Sequence, residues 1–361
     1  PLVLLLKALQ KENGASWAQA QWQACQELLA DGATLEELLQ KVTDFQTNAV
    51  MVRFRDFAAW PMPNAADQAD LTIGTSDEVQ KMHKDNKALI TDLLSSLVIE
   101  ATGPLMFNES AAPSGPVLWL TITREERRNA MSHGVLAGLT QAITQAQHDR
   151  SVRAIVLTGA GSKAFCAGAD LQNAQAFTTD YSEPHGHLAQ LLRVAKASYV
   201  PLIARVNGAC MAGGMGLLAM CDLAVANSHA VFGLPEVKVG VFPMQVMSLL
   251  QRQVPKRLVR EWVLSGEPFG AHEAQAAGLI NHVVPAAELD AKTDWLVGRL
   301  ADKSPTAIRR GKYALRAIED MGFEQSLAYT ESQIALLAQT EDAKEGLAAF
   351  NEKRRPIWTG R

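Results

Sequence analysis

Three short stretches hold residue types that could carry chemistry. In FGLPEVKVG, Glu236 follows a proline and stands among Phe232, Leu234, Val237 and Val239. Apolar surroundings disfavour the charged form of a carboxyl, which suits a group that must exchange a proton near neutral pH. An exposed loop acid fits the same segment. GSKAFCAGADL, Gly161 to Leu171, follows the apolar run AIVLTG, and its small residues at Ala164, Cys166, Ala167, Gly168 and Ala169 leave backbone amides accessible. NGACMAGGMGLLAMCD, Asn207 to Asp222, follows LIARV in the same way and sets Gly213 and Gly214 at the start of an apolar helical run, where the first-turn N–H groups lack helical partners. Two such loops side by side would supply a pair of donors for a carbonyl oxygen as it gains charge. Each loop taken alone also fits a tightly packed turn, and Cys166 alone reads as a small buried apolar residue rather than a nucleophile.

The elements that must position these stretches alternate in character from about Val117 onward. VLWLTIT reads as a strand, SHGVLAGLTQAITQAQHD as an amphipathic helix capped by Ser132, and AIVLTG as a short buried strand. LIARVNG, the glycine-rich helix and DLAVAN repeat that rhythm, and a helical tail runs from Pro255 to Phe350 with a break around GLINHVV. Ahead of Pro116 the pattern is mostly helical: a run from Ser16 to Gly32, another starting at Thr34, and a third from Ser76 toward Val98. Trp17, Trp22 and Trp60 in that region are expected in a core or an interface.

The bulk properties exclude several classes. The chain of 361 residues is 48% hydrophobic and 20% charged, enough to bury a sizeable core, and its formal charge of −4 comes without any Lys/Arg run of the kind that marks nucleic-acid binding. Cys25, Cys166, Cys210 and Cys221 show neither a paired framework nor metal-ligand spacing. Reduced thiols, a cytoplasmic compartment and no metal are expected. The opening PLVLLLK stops at Lys7 without the flanks of a signal peptide, and no membrane span is expected.

From about Pro116 to Arg361 the sequence resembles the crotonase superfamily, the enoyl-CoA hydratase/isomerase family. The resemblance rests on VLWLTITREERRNAMS, AIVLTGAGSKAFCAGADL, PLIARVNGACMAGGMGL, CDLAVA, FGLPEVKVGVFP, AAGLINHVV and EDAKEGLAAFNEKRRPIW, in the family's order. It implies an α/β fold: a spiral of ββα units over 111–290 and a helical oligomerisation region over 291–361, preceded by a mostly α-helical domain over 1–110. It also implies a homotrimer or dimer of trimers acting on an acyl-CoA, with no cofactor beyond the CoA moiety of the substrate. Carried across by position, the backbone amides of Cys166 and Gly213 form the oxyanion hole, Glu236 is the catalytic acid, and Arg128, Ala164, Ala169, Asp170, Leu171 and Lys353 lie along the CoA path.

The sequence departs from the family at one point. Hydratases of this kind use a second glutamate after the glycine-rich turn, and Gly216 stands there instead. A hydratase-type lyase working chiefly through Glu236 is the favoured reading. An enoyl-CoA isomerase shuttling a proton on the same acid, and an acyl-CoA-binding scaffold, are the alternatives. Water could be held by Glu236, by a carboxylate of the substrate, or by the TTDYSEPHGH loop with His185 and His187. Met131, Trp119 or the 172–195 loop are expected to line the acyl pocket.

Overall fold

A computed structural model describes residues 97–102, 116–170 and 184–361, with side chains from 116 onward. The expected N-terminal helices with Trp17, Trp22 and Trp60, the site residue Leu171, and 172–183 of the expected pocket loop lie outside the described residues. The chain divides into two units, Pro1–Glu100 and Ala101–Arg361. Strand β1, Leu97–Thr102, crosses the division. Leu97 and Val98, expected to close a helix, therefore belong to a strand; LVIEAT is rich in the β-branched residues that prefer extended backbone.

In the second unit a two-strand, one-helix module recurs. β3 (Ala154–Gly159) and β4 (Ala164–Cys166) precede α2 (His187–Ala197). β5 (Leu202–Val206) and β6 (Ala209–Met211) precede α3 (Gly213–Ala219). β7 (Leu223–Asn227) and β8 (Val231–Gly233) precede α4 (Met244–Gln253). The first strand of each pair joins a larger sheet and the second a smaller one, which gives the expected spiral. With β2 (Val117–Ile122) and β10 (His282–Val284), the larger sheet of this unit runs β2-β3-β5-β7-β10, all parallel. The smaller runs β4-β6-β8-β9, where β9 is Phe269–Gly270 and alone is antiparallel.

A parallel sheet is covered on both faces, so its strands read as continuous apolar runs, and all six residues of AIVLTG are buried. Helix α1, His133–His148, packs beside α2, and the Ser132 hydroxyl accepts from Val135 N–H at 3.2 Å, the expected N-cap. Trp119 does not line a pocket with Met131. Alternation along β2 turns it, with Val117, toward Val156, Leu296 and Val297 in the cluster between the sheet and α7 (Leu289–Ala301). The tail is helical as expected: α5 (Lys256–Ser265) and α6 (Ala271–Ala276) precede the break at β10, and α8 (Pro305–Ile318), α9 (Phe323–Leu337) and α10 (Glu341–Asn351) follow α7.

Candidate active site

The smaller sheet decides where the candidate residues meet. Cys166 is in register with Cys210, and Met211 with Gly233, so β4, β6 and β8 run side by side in one direction and end along the same edge. Cys166 closes β4, Gly213 follows β6, and Glu236 follows β8. The carboxyl ends of parallel strands are where open α/β sheets hold ligands.

Between β6 and α3 the backbone turns sharply. Ala212 has φ 50° and ψ −125°, a conformation a non-glycine residue adopts only when its surroundings impose it. Its N–H donates to Gly233 O at 2.8 Å, and its carbonyl accepts from Met215 N–H at 2.9 Å. Among the described residues no acceptor takes the Gly213 N–H. The β4 loop presses directly on this turn. A Cβ on Gly168, at φ 98°, would stand 3.2 Å from the Gly213 nitrogen and 2.7 Å from the Ala212 Cβ. A Cβ on Gly214 would stand 2.4 Å from the Cys166 carbonyl oxygen. The glycines are therefore what lets the two loops touch.

Residues missed in the sequence hold the loops in place. The buried Asn129 and Asn207 both donate to Ala164 O, at 2.7 and 3.1 Å, and reach on to Ala160 O and Gly161 O. Arg124 forms a mostly buried ion pair with Asp170 at 2.7 Å and also donates to Ala130 O. Asp170, expected along the CoA path, is thus engaged by its own fold. Met131 bridges the same loop through Gly168 O and Asp170 N–H, and its methyl group lies against Gly213. The only signal in the sequence was position: Asn129 and Asn207 each border a glycine-containing or small-residue segment.

Ala164 is buried and Ala169 half-buried in the β4 loop. Arg128 is exposed at φ 51°, and its carbonyl accepts from Ala167 N–H. Lys353 lies in the turn after α10, where its N–H donates to Phe350 O; among the described residues no contact joins it to these loops. Burial pushes the Cys166 thiol up to about 12, which suits a backbone role and excludes a resting thiolate. His185 and His187 are exposed, and the His187 ring sits against His133 at 4.7 Å.

Glu236 lies half-buried in a 3-10 turn, Pro235–Val239, that begins with Pro235. Its Oε2 is buried without a hydrogen-bond partner among the described residues. Burial pushes its carboxyl above the ordinary 4.5, against a lowering contribution from its own backbone N–H. A carboxyl raised in this way holds a proton more readily than an exposed acid, which suits it to proton exchange. At Gly216 a Cβ would be crowded by Val246 Cγ2 at 3.2 Å and would touch Leu192 Cδ2 at an ordinary 3.9 Å. Leu192 belongs to α2, so 187–195 of the expected pocket loop is helical. Among the described residues no cluster of metal-ligating side chains occurs, and no helix is long and apolar enough to cross a membrane.

Residues 112–361 match the family model described as Enoyl-CoA hydratase/isomerase. Residues 1–124 match the model described as Enoyl-acyl carrier protein reductase FabMG, a similarity the sequence reading did not detect. The chain is 37% identical over 250 residues to the 2,3-dehydroadipyl-CoA hydratase of Escherichia coli, covering 68% of this chain and 96% of that protein. It is 32% identical over 248 residues to the (E)-benzylidenesuccinyl-CoA hydratase of Thauera aromatica, covering 68% and 97%. The solved enoyl-CoA hydratase of Mycobacterium smegmatis superposes with a TM-score of 0.64 at 35% identity, over 67% of this chain and 95% of that one.

Proposed function

The chain belongs to the enoyl-CoA hydratase/isomerase family, and from that premise we propose that it is a hydratase-type lyase acting on an enoyl thioester with one carboxyl, Glu236. The thioester oxygen sits between the N–H groups of Cys166 and Gly213. As water adds to the β-carbon, the Glu236 carboxylate takes its proton, and the alkene electron pair moves onto the thioester oxygen as an enolate. The two amides stabilise that charge. The same carboxyl then delivers the proton to the α-carbon, which restores the thioester and the carboxylate.

The observation that carries this reading is the unpartnered, buried Oε2 of Glu236, in the turn that follows β8, the strand next to the one that leads into Gly213. Both matched family models are named for enoyl thioesters, which supports the substrate class. A second reading, double-bond isomerisation with Glu236 moving a proton between the α- and γ-carbons, is favoured by the closed position beside Gly216. Incubation with 2-enoyl- and 3-enoyl-CoAs in water labelled with heavy oxygen and deuterium separates them. Heavy oxygen in the product supports hydration. Deuterium with a shifted double bond and no added oxygen supports isomerisation and overturns hydration. Two relatives are named for dehydroadipyl and benzylidenesuccinyl thioesters, so the panel includes carboxylated acyl chains.

The same reading assigns catalysis to 111–290 and self-association, as a trimer or a dimer of trimers, to 291–361. Exposed apolar side chains there, among them Phe323 and Phe350 at 74% and 80%, support a covered face. Arg128, Ala164, Ala169, Asp170, Leu171 and Lys353 are assigned to the CoA moiety. Three free, buried cysteines, Cys166, Cys210 and Cys221, are in keeping with a reducing, cytoplasmic setting.

A further inference from the structure

Gly216 stands three residues beyond Gly213 on α3, so the two share a helix face about one turn, or ~5 Å, apart. An extended chain advances roughly 1.1–1.2 Å per bond, so an acyl chain held by its thioester oxygen at Gly213 and running along α3 would bring its β- and γ-carbons level with Gly216. What stands there is not an empty socket. Val246, in the first turn of α4, is 3% exposed and comes within 3.2 Å of where a Cβ on Gly216 would lie. Leu192, from α2, is 7% exposed and comes within 3.9 Å of the same point. The glycine leaves room for α4 to pack on α3, and a side chain added there would start against two branched hydrocarbon side chains. Close packing leaves such a surface little room to yield.

We propose that Val246 and Leu192 are specificity-determining residues of this site, forming a dry wall that admits a straight acyl chain and rejects a substituent on the β-carbon. The inference rests on the proposed binding of an enoyl thioester at Cys166 and Gly213. The wall is shared by both readings of the reaction, since it acts on the shape of the acyl chain rather than on the fate of the proton.

The test is competition between a straight 2-enoyl-CoA and its 3-methyl counterpart, read as the ratio of their kcat/KM values. Val246→Ala hollows the wall and is expected to move the ratio toward the 3-methyl substrate by about tenfold or more, the scale of a one-methyl difference in an apolar pocket. Gly216→Ala thickens the wall from the opposite side and is expected to move the ratio the other way. Opposed shifts distinguish a wall from a general loss of structure, which would lower both rates together. Leu192→Ala repeats the first arm at the second residue should Val246→Ala not fold. A ratio unchanged in these variants, or moved in the same direction by hollowing and thickening, overturns the wall. Wild-type protein that turns over neither substrate nor any straight enoyl-CoA overturns the thioester reading itself.

Discussion

The side-chain amides of Asn129 and Asn207 donate to one oxygen, the carbonyl of Ala164, at 2.7 and 3.1 Å. One asparagine precedes the helix-capping segment before α1 and the other follows β5, so the β4 loop is tied at a single point to two separate parts of the fold. Replacing either with Ala leaves buried polar groups unpaired and is expected to cost about 1–3 kcal/mol. Because they share an acceptor, the double replacement should cost measurably less than the sum of the singles. Urea unfolding of the four proteins measures this, and strict additivity would show that the shared oxygen does not couple them.

Glu236→Gln keeps the shape of the side chain and removes its proton exchange. Turnover of the preferred enoyl thioester is expected to fall on the order of 10²- to 10⁴-fold, with KM changed little. Steady-state kinetics checks both, and turnover within a few-fold of wild type would remove Glu236 from the mechanism.

Burial raises the Glu236 carboxyl in the folded protein, so between its ordinary value near 4.5 and the raised one the native state holds more protons than the unfolded state. Stability from this group is full below the ordinary value and is lost as pH rises through the folded value. Glu236→Gln is therefore expected to be more stable than wild type near pH 7 and to lack that decline. Denaturant midpoints across pH 4 to 8 test it; parallel profiles for the two proteins would contradict it.

Gly214→Ala forces a Cβ to within 2.4 Å of the Cys166 carbonyl, a backbone atom that cannot swing aside, and is expected to cost on the order of 10²-fold or more in kcat by separating the two amides. At Gly213 the atom in the way is the Met131 methyl, the end of a flexible side chain. Met131→Ala should thus recover activity in Gly213→Ala and recover none in Gly214→Ala. Rescue of both, or of neither, would misplace the contact between the loops.

Phe350→Glu puts a charge on the exposed apolar surface of α10. Sedimentation is expected to show a shift from the assembled species to the monomer, and an unchanged mass would move the self-association face elsewhere.

How far the sequence revealed the fold depends on how local each signal was. The strand runs, the Ser132 cap and the apolar company of Glu236 are properties of contiguous residues, and all three were readable. Trp119 was not, because alternation fixes that it faces away from Leu118 but not which layer waits on its side. The ion pair of Asp170 with Arg124 was not readable either, because folding brings the two together from 46 residues apart. Gly216 read as a missing acid; that Val246 of α4 packs beside it depends on two helices whose packing no single segment encodes. The two asparagines were invisible for the same reason, since their shared acceptor belongs to neither neighbourhood.

Three adjacent strands of a small parallel sheet each deliver one part of the site: one amide, the other amide, and the acid. An exchange on the third strand, or one turn along α3, leaves the pair of amides where it was. On the proposed mechanism, what such a scaffold holds constant is the enolate; what it leaves open to variation, one residue at a time, is how that enolate is made and how it is quenched.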